Sequence, residues 1–259
     1  MIFDTHCHLN SDELYENHKE IIKSANEKGV NLILVPGYDD ISSMRVFNLV
    51  KEKNIYGAIG IQPEEIKHTN IDKMLELFSL CKDNKKIVAI GEIGLDYYWE
   101  KDEETKNKQK EIFIKQIEIA NELGLPIIVH SRDALKDTLD ILKEHRPLKG
   151  GVMHCYSGPK EMIYDFISLG MYISLGGPVT FKNAKTPKEV AKEIDLNYLL
   201  VETDSPYLAP HPLRGTQNVP GNVPLVVEEI ARIKEKDTSE IATATFNNGC
   251  RLFGVKYED

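Results

Sequence analysis

Tryptophan occurs once in this 259-residue chain, and its four cysteines, Cys7, Cys81, Cys155 and Cys250, form no C-x-x-C pair. Such scattered thiols exclude a disulfide framework and a cysteine zinc knuckle, so reduced thiols are expected. No stretch approaches the roughly 18 to 20 uninterrupted apolar residues that span a bilayer, and the N-terminus has neither the basic nor the apolar region of a signal peptide. A cytoplasmic protein with no membrane partner is expected, and nothing in the composition calls for an obligate protein partner. Basic residues are outnumbered 32 to 41, a formal net charge of -9. That balance argues against a long basic groove binding nucleic acid by counterion release. It says little about a site where carboxylates gather around cations, because the metal sets the local field there.

Short β-rich apolar runs alternate with longer amphipathic stretches, the rhythm of a parallel sheet. Eight strands are predicted, at 2–6, 31–36, 56–61, 87–92, 126–131, 150–154, 171–175 and 198–203. Helices are predicted between them: one opens near Asp12 and Glu13 and ends at Lys28-Gly29, 104–123 ends on Gly124, and 159–169 ends on Gly170. Amphipathic stretches at 224–236 and 239–252 complete the chain, after a proline-rich loop at 205–224. No linker or low-complexity segment interrupts the series, so one domain over 1–259 is expected. An open doubly wound sheet would want a G-x-G-x-x-G turn after an early strand, and there is none; eight equal units near 250 residues predict an α/β fold of the closed (β/α)8 TIM-barrel type.

Catalytic groups of such barrels stand at the C-terminal ends of the strands. The polar residues there are His6 and His8 after the first strand, Glu92 after the fourth, His130 after the fifth, His154 after the sixth and Asp204 after the eighth. Alternation along a strand turns residues 6 and 8 to the same side and Cys7 to the other. A lone histidine at a strand end is more often a hydrogen-bonded structural residue than a ligand. Four imidazoles and two carboxylates converging on one mouth would carry large desolvation costs unless a cation organised them. That donor set suits zinc, manganese, nickel, cobalt or iron, and a bridging carboxylate allows two ions. Elsewhere the plainer reading holds: Met153, Tyr97, Tyr98 and Trp99 are expected to pack, His18, His68 and His145 to lie at the surface, and the charged run 100–111 to be a solvated helix start.

Five ordered segments, D-T-H-C-H at 4–8, G-E-I-G-L-D-Y at 91–97, P-I-I-V-H-S-R at 126–132, H-C-Y-S-G at 154–158 and E-T-D-S-P-Y-L at 202–208, resemble the TatD family of metal-dependent deoxyribonucleases, and the resemblance covers almost the whole chain. It implies a hydrolase with two divalent ions, one among His6, His8 and Asp204, the other between His130 and His154, with Glu92 near both. It further implies phosphodiester hydrolysis in DNA, at single-stranded or frayed ends, commonly 3′-to-5′ and with magnesium. Two segments depart from the family pattern. G-I-Q-P at 60–63 puts Gln62 where relatives usually carry histidine, a group that can still donate to a phosphate oxygen but cannot titrate. L-R-G-T-Q-N-V-P at 213–220 keeps Arg214 but has Thr216 for lysine and Val219 for glutamate.

The expected chemistry is a metal-acidified water attacking phosphorus, with Asp204 accepting its proton and Glu92 bridging or orienting the ions. Arg132, Arg214, Gln62 and the backbone near Ser157 are the expected substrate contacts. The alternative is the same attack on a carbonyl carbon, in an amide or ester hydrolase such as a D-aminoacyl-tRNA deacylase. A purely structural zinc is the weaker reading, because structural sites are closed and rich in cysteine.

Overall fold

The computed structural model describes residues 1–258. Its strands are β1 (Ile2–Asp4), β2 (Val30–Pro36), β3 (Ile55–Ile59), β4 (Ile87–Asp96), β5 (Ile127–Arg132), β6 (Gly151–Met153), β7 (Met171–Leu175) and β8 (Leu199–Val201). They form one sheet in chain order, every neighbouring pair parallel. The α-helices are α1 (His18–Glu27), α2 (Asp40–Leu49), α3 (Ile71–Leu80), α4 (Glu103–Leu123), α5 (Leu135–Glu144), α6 (Ile163–Ser168), α7 (Lys185–Glu193), α8 (Val223–Lys234) and α9 (Thr238–Phe253). This is the (β/α)8 architecture the alternation predicts.

The seam between β8 and β1 closes through the irregular backbone that follows each strand. Thr5 N–H donates to Val201 O at 3.1 Å, Asp204 N–H to His6 O at 2.9 Å and His8 N–H to Ser205 O at 2.8 Å; Cys7 forms an isolated bridge with Ser205 and donates its N–H to Leu34 O on the other side at 3.1 Å. The terminal segment is therefore held from both sides, and both histidines stand on it. Asp4, fully buried, ties the seam further, accepting from Thr203 N–H at 2.9 Å and Thr203 Oγ1 at 2.6 Å. Burial pushes the Asp4 carboxyl up to about 8 against those bonds.

Apolar side chains divide into two layers, as strand alternation requires. One joins Ile33, Val35, Ile90 and Val129 to helix residues such as Leu49, Phe78 and Ile117. The other gathers Phe3, Leu34, Ala58, Ile128, Val152 and Leu200 of the strands with Phe246 and Phe253 of α9. Ile128 and His130 share one face of β5, so this second layer leads directly up to the mouth.

Gly94 is a point where the sheet admits no side chain. Its φ is +144°, and a Cβ there would lie 1.9 Å from His130 O across the β4–β5 pair. Gly94→Ala is expected to cost about 3 kcal/mol, combining an unfavourable backbone region with a backbone clash, and to displace His130. Thermal unfolding, with metal binding measured on the folded fraction, checks both effects.

Candidate metal centre

Glu92 is the hub of the barrel mouth. Between the paired residues Ile90↔Ile127 and Ile93↔Val129, β4 spends one residue more than β5. That bulge contains Gly91 and Glu92, and such an insertion re-aims side chains beside functional sites. The peptide joining Gly91 to Glu92 is cis. Gly60 allows the distortion to approach, since a Cβ on it would come within 2.6 Å of Gly91 C.

The two carboxylate oxygens of Glu92 face different imidazoles. Oε1 lies 3.0 Å from His130 Nδ1 and 3.0 Å from His154 Nε2, which are themselves 3.3 Å apart. Oε2 lies 3.4 Å from both His6 Nε2 and His8 Nε2, which face each other at 3.1 Å. Asp204 Oδ1 completes the second group, 3.7 Å from His6 Nε2 and 3.5 Å from His8 Nε2. Donor atoms around a tetrahedral ion with bonds near 2.05 Å are separated by about 3.3 Å, so both groups have the spacing of a ligand set. The rings of His6 and His154 stack at 3.9 Å, joining the two halves.

The ligand-facing nitrogens on the His130 and His154 side are set by outer partners. His130 Nε2 is 2.9 Å from Asp96 Oδ2, leaving Nδ1 toward Glu92; His154 Nδ1 is 3.3 Å from Glu202 Oε1, leaving Nε2 toward Glu92. A carboxylate behind an imidazole fixes its tautomer and raises its basicity as a ligand. Glu64 joins Asp96 and His130 in a further acidic group, and burial, reinforced by Asp96, lifts its carboxyl to about 7. Behind the other two histidines there is no such support, because His6 Nδ1 and His8 Nδ1 are buried without hydrogen-bond partners.

Without metal, protons must hold these groups together. Burial opposes charge on His8 and His130, yet the carboxylates of Asp204 and Glu92 around one, and of Asp96 and Glu92 around the other, push both up to about 9. His154 is likewise driven well up, against burial, by Glu92 and Glu202, whereas burial and the neighbouring His154 drive His6 down. Burial opposes ionisation of Glu92 and Asp204 too, but the surrounding imidazoles hold both below the usual carboxylate range. A divalent cation would replace the protons between the same atoms, and the mixed nitrogen–oxygen donors fit zinc, manganese, nickel, cobalt or iron. Zinc binding to metal-free protein is therefore expected to release protons and to strengthen from pH 7 to 9 by about tenfold per pH unit for each proton displaced. Calorimetry in buffers of different ionisation heat measures the proton count.

All six residues at the predicted strand ends, His6, His8, Glu92, His130, His154 and Asp204, thus converge. The four residues expected to touch substrate form no hydrogen bond or ion pair with these six among the described residues. Gln62 is half-buried before the turn Pro63–Glu65 and does not cap it; Ser157 is exposed in the loop after β6. Arg132 is exposed at the end of β5, its guanidinium 3.9 Å from the Tyr98 ring centroid, and Arg214 lies 4.0 Å over Phe181. The sequence reading missed Asp96, Glu202 and Glu64. Glu202 stands two residues before Asp204 and Asp96 four after Glu92, so the period of two was a usable signal for both.

A model of the family described as TatD related DNase matches residues 3–254. The chain belongs to the TatD family. It is 45% identical over 260 residues to a metal-dependent hydrolase of Bacillus subtilis (strain 168), YabD, covering 98% of this chain and 100% of that protein. To the metal-dependent hydrolase YcfH of Escherichia coli (strain K12) it is 38% identical over 264 residues, 98% of this chain and 96% of that one. The crystal structure of the TatD homolog YJJV from Escherichia coli K12 superposes with a TM-score of 0.92 at 30% identity, covering 98% of each chain. The TatD family relation and the donor set together make the chain a metal-dependent hydrolase. Among the described residues no helix is long and apolar enough to cross a membrane.

Proposed function

We propose that this TatD-family chain is a deoxyribonuclease that holds two divalent ions and removes nucleotides from single-stranded or frayed DNA ends, in the 3′-to-5′ direction. The observation that carries the reading is the split of Glu92, with one oxygen toward His130 and His154 and the other toward His6 and His8, which Asp204 also faces. Divalent ions held there would supply Lewis acidity, acidifying water and stabilising charge on the phosphoryl oxygens. Asp204 is the carboxylate of the set most open to the mouth, at 14% side-chain exposure, and is held ionised, so it is the group to accept a proton from an attacking water. Asp96 and Glu202 hold His130 and His154 in the tautomers that present a lone pair to the centre. Arg132, at the rim, offers its guanidinium to the phosphodiester chain.

Metal analysis of protein purified without supplement, followed by digestion of single strands labelled at either end, tests the proposal. Two ions per chain and progressive loss from the 3′ end are expected, abolished by chelator and restored by metal. Cleavage that survives complete metal removal would overturn it, and a panel with aminoacyl-tRNA esters and small amides would then show which bond the centre cuts. Gln62 in place of histidine, with its loss of charge at the mouth, is the feature that makes this panel worth running.

A further inference from the structure

We propose that Tyr98, Trp99 and Arg132 form a stacking subsite for one unpaired nucleobase beside the His130 half of the metal centre; the inference rests on the phosphodiester reading above and names where the substrate's base is held. The sequence expectation that the aromatic triplet packs is met only by Tyr97, which packs against the core and donates its hydroxyl to Asp137 Oδ2 at 2.8 Å. Tyr98 and Trp99 are 44% and 62% exposed. Their rings meet edge to face at 4.7 Å and 88°, so neither covers the other by stacking.

Single exposed aromatics are ordinary, so exposure alone carries nothing. Position and charge distinguish this pair. Asp96 Oδ1 accepts the backbone N–H groups of Tyr98 at 2.9 Å and Trp99 at 3.3 Å, while Asp96 Oδ2 takes His130 Nε2 at 2.9 Å. One buried carboxylate therefore fixes the aromatic turn and a metal-facing imidazole in a common frame. The Arg132 guanidinium stands 3.9 Å from the Tyr98 ring centroid and 5.7 Å from that of Trp99.

Exposed rings with a cation beside them match a flat base joined to an anionic backbone, which single-stranded nucleic acid presents and a duplex conceals within its own stack. An apolar peptide would leave the guanidinium unused. The net charge of -9 gives the surface no general attraction for nucleic acid. Affinity for a strand end then depends on local contacts of this kind, together with the metals.

Because Trp99 is the chain's only tryptophan, its fluorescence reports on the subsite directly. The metal-loaded protein is titrated with a short thymidine oligonucleotide carrying cleavage-resistant phosphorothioate links, with an abasic strand of the same links, and with a blunt duplex, affinities being read in parallel by polarisation of an end label. Quenching by the base-bearing single strand alone is expected, with about tenfold weaker binding of the abasic strand. Trp99→Ala should weaken the base-bearing strand by about tenfold and leave the abasic strand unaffected, and Trp99→Phe should recover most of the loss. Equal binding of base-bearing and abasic strands, or equal quenching by the duplex, would overturn the subsite. Hydrolysis of bis(4-nitrophenyl) phosphate by the same preparation separates the two readings. Activity there without base-dependent binding sinks the subsite and leaves phosphodiester chemistry standing, whereas no activity and no oligonucleotide binding sinks both.

Discussion

Glu92→Gln is expected to lower hydrolytic turnover by at least about 10³-fold and to strip the protein of most of its metal, well beyond the 10- to 100-fold losses that follow from changing outer partners of a metal site. Glutamine preserves the shape of the side chain but removes its charge and turns an N–H₂ donor toward one pair of histidines. With the donor at Oε1 it opposes His130 Nδ1 and His154 Nε2, both 3.0 Å away; with the donor at Oε2 it opposes His6 Nε2 and His8 Nε2, both 3.4 Å away. Either orientation converts a ligand position into a proton-bearing one, and a metal ligand must present a lone pair. The loss of negative charge also removes part of what holds His8, His130 and His154 protonated in the metal-free protein, leaving Asp204, Asp96 and Glu202 beside them, so those groups should titrate lower. Circular dichroism should be unchanged. Elemental analysis that finds full metal content in Glu92→Gln would remove Glu92 from the centre of the design.

The fold was legible because each βα unit hides one face of a strand and one stripe of a helix, which leaves periodic runs in the sequence. Where backbone bonds replace that periodicity, the reading fails at the edges. The first strand was expected over 2–6 and ends at Asp4; the last was expected over 198–203 and spans Leu199–Val201. In both places the missing residues carry the seam, which closes through single bonds that leave no hydrophobic alternation to read. The fourth strand errs the other way, running to Asp96 and not ending at 92, because a bulge and Gly94 at φ +144° let it continue past glycines that read as a stop. The first helix begins at His18, after a turn at Tyr15–Asn17 that delays it beyond the acidic residues expected to open it.

The candidate site was legible for a different reason. A barrel mouth collects strand ends, so residue type and position together pick out the six converging groups without any knowledge of their distances. Their partners were legible only as neighbours on the same strand face: that Asp96 stands behind His130 and Glu202 behind His154 depends on the fold, and Glu64 arrives from the loop after β3. Asn218, buried and donating to Thr203 O at 2.9 Å and Tyr207 O at 2.8 Å, organises the proline-rich loop in a way no period announces.

Asp204→Asn should separate proton transfer from metal retention. The backbone at Asp204 has φ +56°, a left-handed conformation that asparagine tolerates better than alanine, so the substitution tests the carboxylate with the least disturbance of the chain. The carbonyl oxygen of the introduced amide can still face the centre, and the buried Glu92 and four histidines remain, so at least one ion should stay bound. What is lost is the only carboxylate of the six with appreciable opening to the mouth, one held ionised by His8 and His154 despite its burial. Removing a positioned base costs about 10² to 10⁴ in turnover, and the combined loss of base and anionic ligand places Asp204→Asn near the upper end of that range. The expected signature is a kcat reduced by about 10³-fold or more with a KM within a fewfold of wild type, since the residues proposed to contact the DNA, Arg132 among them, are untouched. The residual rate should also rise with pH across the neutral range, as hydroxide from solvent substitutes for the missing acceptor. If Asp204→Asn keeps metal and turns over at the wild-type rate, proton acceptance belongs to another group, and Glu64, whose carboxyl is lifted to about 7 beside Asp96, is the next to replace.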